Sequence, residues 1–225
     1  SRGYNYFRVP ADMSDDYPAD MPYVDSSFRN FTYAPGRAPA GAYVIAAHGG
    51  GGNAPTYGWP LAAYLPGSPG NLYSTMHRGS GGIVIVADSM IIDGTLTAFG
   101  GEFNDHGSPS AGGIMLVSDS YEFSPEAIIT AEGPFNKMSQ MSGAYGAGGR
   151  VSILCSFGDA DLATIVSGAV PEDVVDRDAS DYELSASIDA LSGKNINLKR
   201  GSNNGTTRFA RPASLPAYVV TARSS

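Results

Sequence analysis

Short apolar runs separated by clusters of glycine make up the middle of the chain, residues 41–170. Within the runs, β-branched and other apolar residues alternate with polar or small ones, which is typical of β-strands, and the glycines between them indicate turns. Alternating helices are missing from this pattern. It predicts many short strands joined by tight corners.

The strand pattern repeats along the chain. The first strand of each copy follows a pair of glycines, and the second copy begins 31 residues after the first. The copies of this strand are Gly81–Ser89, Gly112–Ser120 and Gly148–Cys155. A second strand follows in each copy, at Leu96–Gly100, Ile129–Gly133 and Thr164–Gly168. Periods of roughly 20–50 residues are typical of folds built from stacked repeats.

Two strands per repeat favour one kind of stacked fold. A propeller blade needs about four strands, whereas a parallel β-helix is built from short strands and glycine corners. We therefore predict an all-β fold, a short, right-handed parallel β-helix whose coils cover one another's apolar side chains. The predicted core row is Ile83, Ile85, Ile114, Leu116, Val151 and Ile153. The predicted corner glycines are Gly81, Gly82, Gly112, Gly113, Gly148 and Gly149.

The same residues carry a resemblance to known proteins. The patterns GG-I-x-I-x-A, I-D-G-x-L-x-A-x-G-G, GG-I-x-L and GG-R-V-x-I lie between Gly81 and Ile153. Together they resemble the glycine-rich parallel β-helix repeats of secreted and cell-surface proteins, of adhesin or passenger type. With the glycine-rich segments before them, the matching residues run from about Gly49, through Tyr57-Gly58 and Pro66-Gly67, to Gly148–Ile153, roughly half of the chain. The resemblance implies an extracellular or cell-surface location and a structural or adhesive role.

The two ends of the chain differ from the middle. Eight aromatic residues, interleaved with prolines and acids, fall within the first 33 residues. We predict that residues 1–40 form an extended arm that either caps the coils or docks as a strand into the next subunit. Residues 171–225 are predicted to form a β-rich extension packed on the coils. Its predicted strands are Tyr182–Ala190, Asn195–Lys199 and Ala217–Ala222.

Composition and charge narrow the choice of partners. The formal net charge is −8 and charged residues make up only 16% of the chain, which disfavours nucleic-acid binding because phosphates need a positive surface. No apolar stretch approaches the ~20 residues of a membrane span. Cys155 is the only cysteine, so an internal disulfide framework is excluded. Asn30 and Asn204 begin N-glycosylation sequons.

Two sets of polar residues could carry chemistry. Asp88 and Asp119 occupy equivalent positions of two repeats, and on adjacent coils such carboxylates could cleave a glycosidic bond or share a calcium ion. His77 and His106 precede glycine-containing corners, and with Asp105 they form a weak candidate metal site. The simpler interpretation makes the aspartates strand-ending turn residues and the histidines solvated loop residues, and it is preferred.

We therefore predict a non-catalytic, extracellular structural or adhesive protein without a cofactor, one that self-associates into a filament or surface layer. Its partners would be further copies or other surface proteins, contacted through residues 1–33, or glycans. One alternative is a polysaccharide-active hydrolase or lyase that uses Asp88, Asp119, His77 and His106. The other is a carbohydrate-binding module that stacks sugars on exposed tyrosines.

Overall fold

The computed structural model describes ten ranges of the chain. They are residues 7–8, 32–33, 59–67, 80–103, 111–137, 148–182, 184–191, 193–197, 204–215 and 220–222. Most of the predicted arm, residues 1–40, lies outside them, as do Asn30, His77, Asp105 and His106. The strands are β1 Phe7–Arg8, β2 Thr32–Tyr33, β3 Ile83–Ile92, β4 Thr95–Thr97, β5 Glu102–Phe103, β6 Gly113–Phe123, β7 Ile128–Thr130, β8 Phe135–Asn136, β9 Arg150–Cys155, β10 Val174–Asp178, β11 Ser187–Asp189, β12 Lys194–Asn195, β13 Thr206–Pro212 and β14 Val220–Ala222. Helix α1 spans Asp159–Val166, and one 3-10 turn spans Ala179–Asp181.

Successive strands are distributed over three sheets. The largest sheet has six strands: β3, β6, β9 and β13 are parallel and adjacent in that order, β14 joins β6 in parallel, and β10 joins β13 antiparallel. Two three-stranded parallel sheets follow the orders β4-β7-β11 and β5-β8-β12. Strands β1 and β2 form a separate antiparallel pair.

The prediction of an all-β, parallel β-helical fold is wrong. The largest sheet is mixed, because β10 runs antiparallel to β13, and α1 lies where Thr164–Gly168 were predicted to form a strand. The chain leaves β9 at Ser156, which has a φ of 56°. Two acidic residues, Asp159 and Asp161, lie in the first turn of α1 and stabilise the helix by interacting with the positive end of its dipole. Leu162 and Ile165, three residues apart, turn one face of this helix toward the sheet.

The repeat nevertheless predicts the register of neighbouring strands. Ile83 lies beside Ile114, which lies beside Val151, and the next inward row is Ile85, Leu116 and Ile153. On β13, Phe209 continues that row beside Ile153 and is buried. These side chains pack against Ile129, Ala98, Ala131 and Ala190 to form the inner core.

The opposite face of the largest sheet has its own apolar cluster. Met115 and Val117 of β6 and Leu154 of β9 point to this face, where residues 59–67 and α1 cover them. The Ser152 hydroxyl donates to the carbonyl of Leu61 at 2.7 Å, and the N–H of Gly113 donates to the carbonyl of Leu65. The part of the sheet formed by β6 and β9 is thus covered on both faces.

Strands β3 and β6 change the direction of their side chains part-way along. In β6, Ile114 and Leu116 belong to the inner core, and so do Tyr121 and Phe123. Leu116 and Tyr121 are an odd number of positions apart, so in a regular strand their side chains would point to opposite faces. In β3, the inner residues change in the same way from Ile83 and Ile85 to Met90 and Ile92. The shift falls at the exposed pairs Asp88-Ser89 and Asp119-Ser120, which we call the corner of each strand.

Candidate functional site

One end of the three sheets is open in the part of the chain that the structure describes. The first strands of the three sheets are β3, β4 and β5, and they pair on one side with β6, β7 and β8 respectively. On their other side, no described strand pairs with them. We call this set of strand edges the open end. Its longest element is β3, with ten residues. Unpaired strand edges present rows of backbone donors and acceptors that bind another strand.

The open end also exposes apolar side chains. Val84 is 52% exposed and Val86 is 68% exposed, whereas their neighbours on β6, Met115 and Val117, are 3% and 6% exposed. Ile91, beyond the corner of β3, is 63% exposed. On the inner face, Ile83 and Ile85 are only partly buried, while the same rows are fully buried on β6. The apolar surface that continues across the sheet is therefore left uncovered at β3.

The opposite side of the largest sheet ends differently. There β10 pairs antiparallel with Arg208–Pro212 of β13. This last strand is five residues long and carries Asp176, Arg177 and Asp178 in succession. Short edge strands rich in charge disfavour the addition of a further strand. The sheet is apolar at one edge and charged at the other.

The predicted carboxylate pair lies at the corners of β3 and β6. Asp88 and Asp119 fall between the register pairs Ala87–Ser118 and Ser89–Ser120, and both side chains are exposed. The backbone carbonyl of Asp119 accepts a hydrogen bond from the Ser156 hydroxyl at 2.9 Å. The structure thus places these two aspartates at equivalent positions on neighbouring strands. The other residues proposed for catalysis or metal binding, His77, Asp105 and His106, lie outside the described residues.

A metal centre is not assembled within the described ranges. No group of three or more histidine, cysteine, aspartate or glutamate side chains lies close enough there to hold a metal ion. Cys155 is buried, and burial raises the pKa of its thiol. Tyr121 is also buried, which raises the pKa of its hydroxyl, and this hydroxyl donates to the carbonyl of Leu154 at 2.9 Å. Both groups are therefore core residues held in their neutral forms.

A second pair of carboxylates, Asp176 and Asp178, lies on β10. Asp176 lies 3.9 Å from the Arg208 guanidinium, and burial raises the pKa of its carboxyl despite that cation. Asp178 is the opposite case: burial would raise its pKa, but hydrogen bonds from the Ser180 N–H, the Ser180 hydroxyl and the Thr207 hydroxyl lower it. Sequence spacing places both carboxylates on one face of β10, but only the fold supplies Thr207 and Arg208.

Opposed pKa shifts are a feature of acid–base pairs in enzymes. Here Oδ1 of Asp178 accepts three hydrogen bonds, through which Asp178 caps the 3-10 turn at Ala179–Asp181 and fastens β10 to Thr207 of β13. Its role in this arrangement is architectural.

The pH dependence of stability tests that role. Asp178→Ala is expected to lower the free energy of unfolding by about 1 kcal/mol at pH 7, the usual cost of losing a capping side chain. Since the pKa of Asp178 is lower in the folded state than the ~3.9 of an unfolded aspartate, its contribution is present above that value and is lost as the pH falls through the folded pKa. Urea unfolding at pH 7, 4 and 3 should show the difference between parent and variant narrowing.

The control is Glu172→Ala, which removes an exposed carboxylate near the start of the same strand. It should change stability by less than about 0.5 kcal/mol. A difference between parent and Asp178→Ala that stayed constant from pH 7 to pH 3 would contradict the role of the ionised carboxylate.

Comparison with protein-family models, with curated proteins and with solved structures finds no match. The resemblance of Gly81–Ile153 to secreted glycine-rich repeats therefore stays a prediction. In the described ranges, no helix is long and apolar enough to cross a membrane.

Proposed function

We propose that this protein is a non-catalytic structural protein that works by associating with further copies of itself through the open end. One observation carries this: Val84 and Val86 are exposed at the edge of a sheet whose next strand buries the corresponding Met115 and Val117. A further strand added to β3 would satisfy its backbone and remove these side chains from water.

The open end suits another strand better than a small ligand. Added strands bind chiefly through main-chain hydrogen bonds, and side chains on alternate faces give specificity. With ten residues, β3 is long enough for such a contact. We extend the proposal to a surface or adhesive role outside the cell, which is supported by the resemblance of the glycine-rich segments.

Self-association makes a direct prediction for Val86→Lys. The parent protein should show a weight-average mass that rises with concentration in sedimentation equilibrium. The variant should associate about tenfold more weakly, because a lysine at a strand edge must lose its hydration when a second strand covers it. Thermal unfolding should confirm that the variant folds, since Val86 is 68% exposed.

Val170→Lys is the matched control, because Val170 is 62% exposed and follows α1 without belonging to any strand. It should associate like the parent. A parent protein that remained monomeric at every concentration would refute the proposal, and so would equal losses in the two variants.

Association through residues 1–33 stays a prediction. Of this segment the structure describes Phe7–Arg8 and Thr32–Tyr33, which pair antiparallel with each other.

A further inference from the structure

We infer that the protein forms a two-fold symmetric dimer in which β3 pairs antiparallel with β3 of a second copy, with the corner of each strand on the two-fold axis. This inference rests on the proposed self-association through the open end and specifies its partner and geometry. The partner is this same chain, because β3 is complementary to itself in the antiparallel direction, as its side-chain directions show.

Residues that lie opposite each other in an antiparallel pair point to the same face of the sheet. In a regular strand, a two-fold axis placed between two consecutive residues would set inward residues against outward ones, which is forbidden. The shift at the corner of β3 removes this conflict. An axis between Asp88 and Ser89 places Val86 opposite Ile91 of the partner subunit, and both outer side chains are exposed in the single chain.

The inner residues match in the same register. Ile85 lies opposite Ile92 of the partner subunit, and Ala87 lies opposite Met90 of the partner subunit. Ile85, Met90 and Ile92 face the inner core, and Ala87 lies in the same row as Ser118 and the inner-core residue Cys155. With the axis at the corner, residues 85–92 of β3 pair with the same residues of the partner subunit, and the two bent strands follow each other over this length. Any other position of the axis sets the corners apart and places inward residues opposite outward ones.

The contact closes after two copies. A two-fold contact uses the same edge in both subunits, so it leaves no second copy of that edge available. The opposite side of the largest sheet ends in the charged strand β10, and the opposite edges of the other two sheets, β11 and β12, are only three and two residues long. None of these three edges supports continued addition of strands, so we expect a dimer and not a filament.

One feature of this axis opposes association. Asp88 lies beside the axis, diagonally across from Asp88 of the partner subunit, and like charges on neighbouring strands repel. Asp88→Asn is therefore expected to strengthen the dimer roughly twofold to fivefold. Asp119→Asn removes the same charge from the equivalent, exposed position one strand inward, and it should leave the dimer unchanged.

Cysteine cross-linking tests the register directly. Full-length Val86→Cys and Ile91→Cys proteins are mixed at equal concentration under mild oxidation. Val86 lies opposite Ile91 of the partner subunit, so the mixed disulfide should exceed either single-species disulfide several-fold. Two Val86 positions are about five residues apart along the strand, roughly 17 Å, which is beyond the reach of a disulfide. The parent protein, whose Cys155 is buried, should give no cross-link.

The outcomes separate this inference from the proposed function. A parent protein that is monomeric throughout refutes both. Concentration-dependent association without preference for the mixed disulfide, or with assemblies larger than two, overturns the two-fold dimer and leaves self-association in place. Equal affinities of the Asp88→Asn and Asp119→Asn variants would overturn the position of the axis.

Discussion

Replacing Gly149 by alanine is expected to destabilise the protein by about 3 kcal/mol or more. A β-carbon at this position would lie 1.8 Å from the carbonyl oxygen of Gly112, far closer than any non-bonded contact allows. That carbonyl also accepts the N–H of Arg150, and the N–H of Gly149 donates to Ala131. The backbone therefore cannot move away without losing hydrogen bonds that join β6 to β9 and the largest sheet to β7.

Gly81→Ala is the matched control for this prediction. Gly81 lies in the same column of stacked glycines, but a β-carbon there meets no atom within 4 Å. The control should change stability by less than about 0.5 kcal/mol. Urea denaturation followed by circular dichroism gives both values. Equal stabilities of the Gly149→Ala variant and the parent would show that the close approach of these strands is not required.

The glycines show how far the sequence predicts this fold. Glycine pairs identified the strand starts correctly, but they gave no means of distinguishing Gly81, which has space, from Gly112 and Gly149, which have none. Gly205 extends the same column, with a β-carbon position 1.6 Å from the carbonyl of Gly149. The repeat pattern misses it because Gly205 is a single glycine, flanked by Asn204 and Thr206, whereas each of the other copies has a pair of glycines.

The register was predictable because it depends on a short-range pattern, whereas the departures from the repeat depend on long-range contacts. The 31-residue offset sets Ile83 beside Ile114, as observed. Helix α1 has only eight residues, and its apolar side chains stabilise it only when residues 59–67 and the sheet are present to cover them. The antiparallel pairing of β10 with β13 likewise joins segments whose order no repeat specifies.

The candidate site was predictable only in part, for a related reason. Asp88 and Asp119 lie at equivalent positions because they occupy equivalent places in the repeat. The exposed edge of β3 is a consequence of which strand comes first in the sheet, and a residue pattern does not contain that information. The hydrogen bonds that lower the pKa of Asp178 come partly from Thr207, which lies 29 residues away in sequence.

Phe209→Ala is expected to lower the free energy of unfolding by about 3–5 kcal/mol, the usual cost of truncating a buried phenylalanine. Phe209 is 1% exposed, lies beside Ile153 in the inner row, and its ring centre is 4.6 Å from that of Tyr182. Strand β13 adds to β9 on one side and holds β10 on the other. Loss of the phenyl ring should therefore weaken the whole largest sheet.

Two probes can show whether that effect is global. Trp59, the only tryptophan, packs against the apolar cluster that contains Met115, Val117 and Leu154, on the other face of the sheet from Phe209. Its fluorescence and the far-ultraviolet circular dichroism should change in one coincident transition, shifted equally by Phe209→Ala, if both faces unfold as one unit. Val170→Ala, at an exposed position, should leave the transition unchanged. A shift seen by circular dichroism alone would mean that β13 and β10 unfold separately, since Trp59 would then remain in its cluster while the strands beyond β9 were lost.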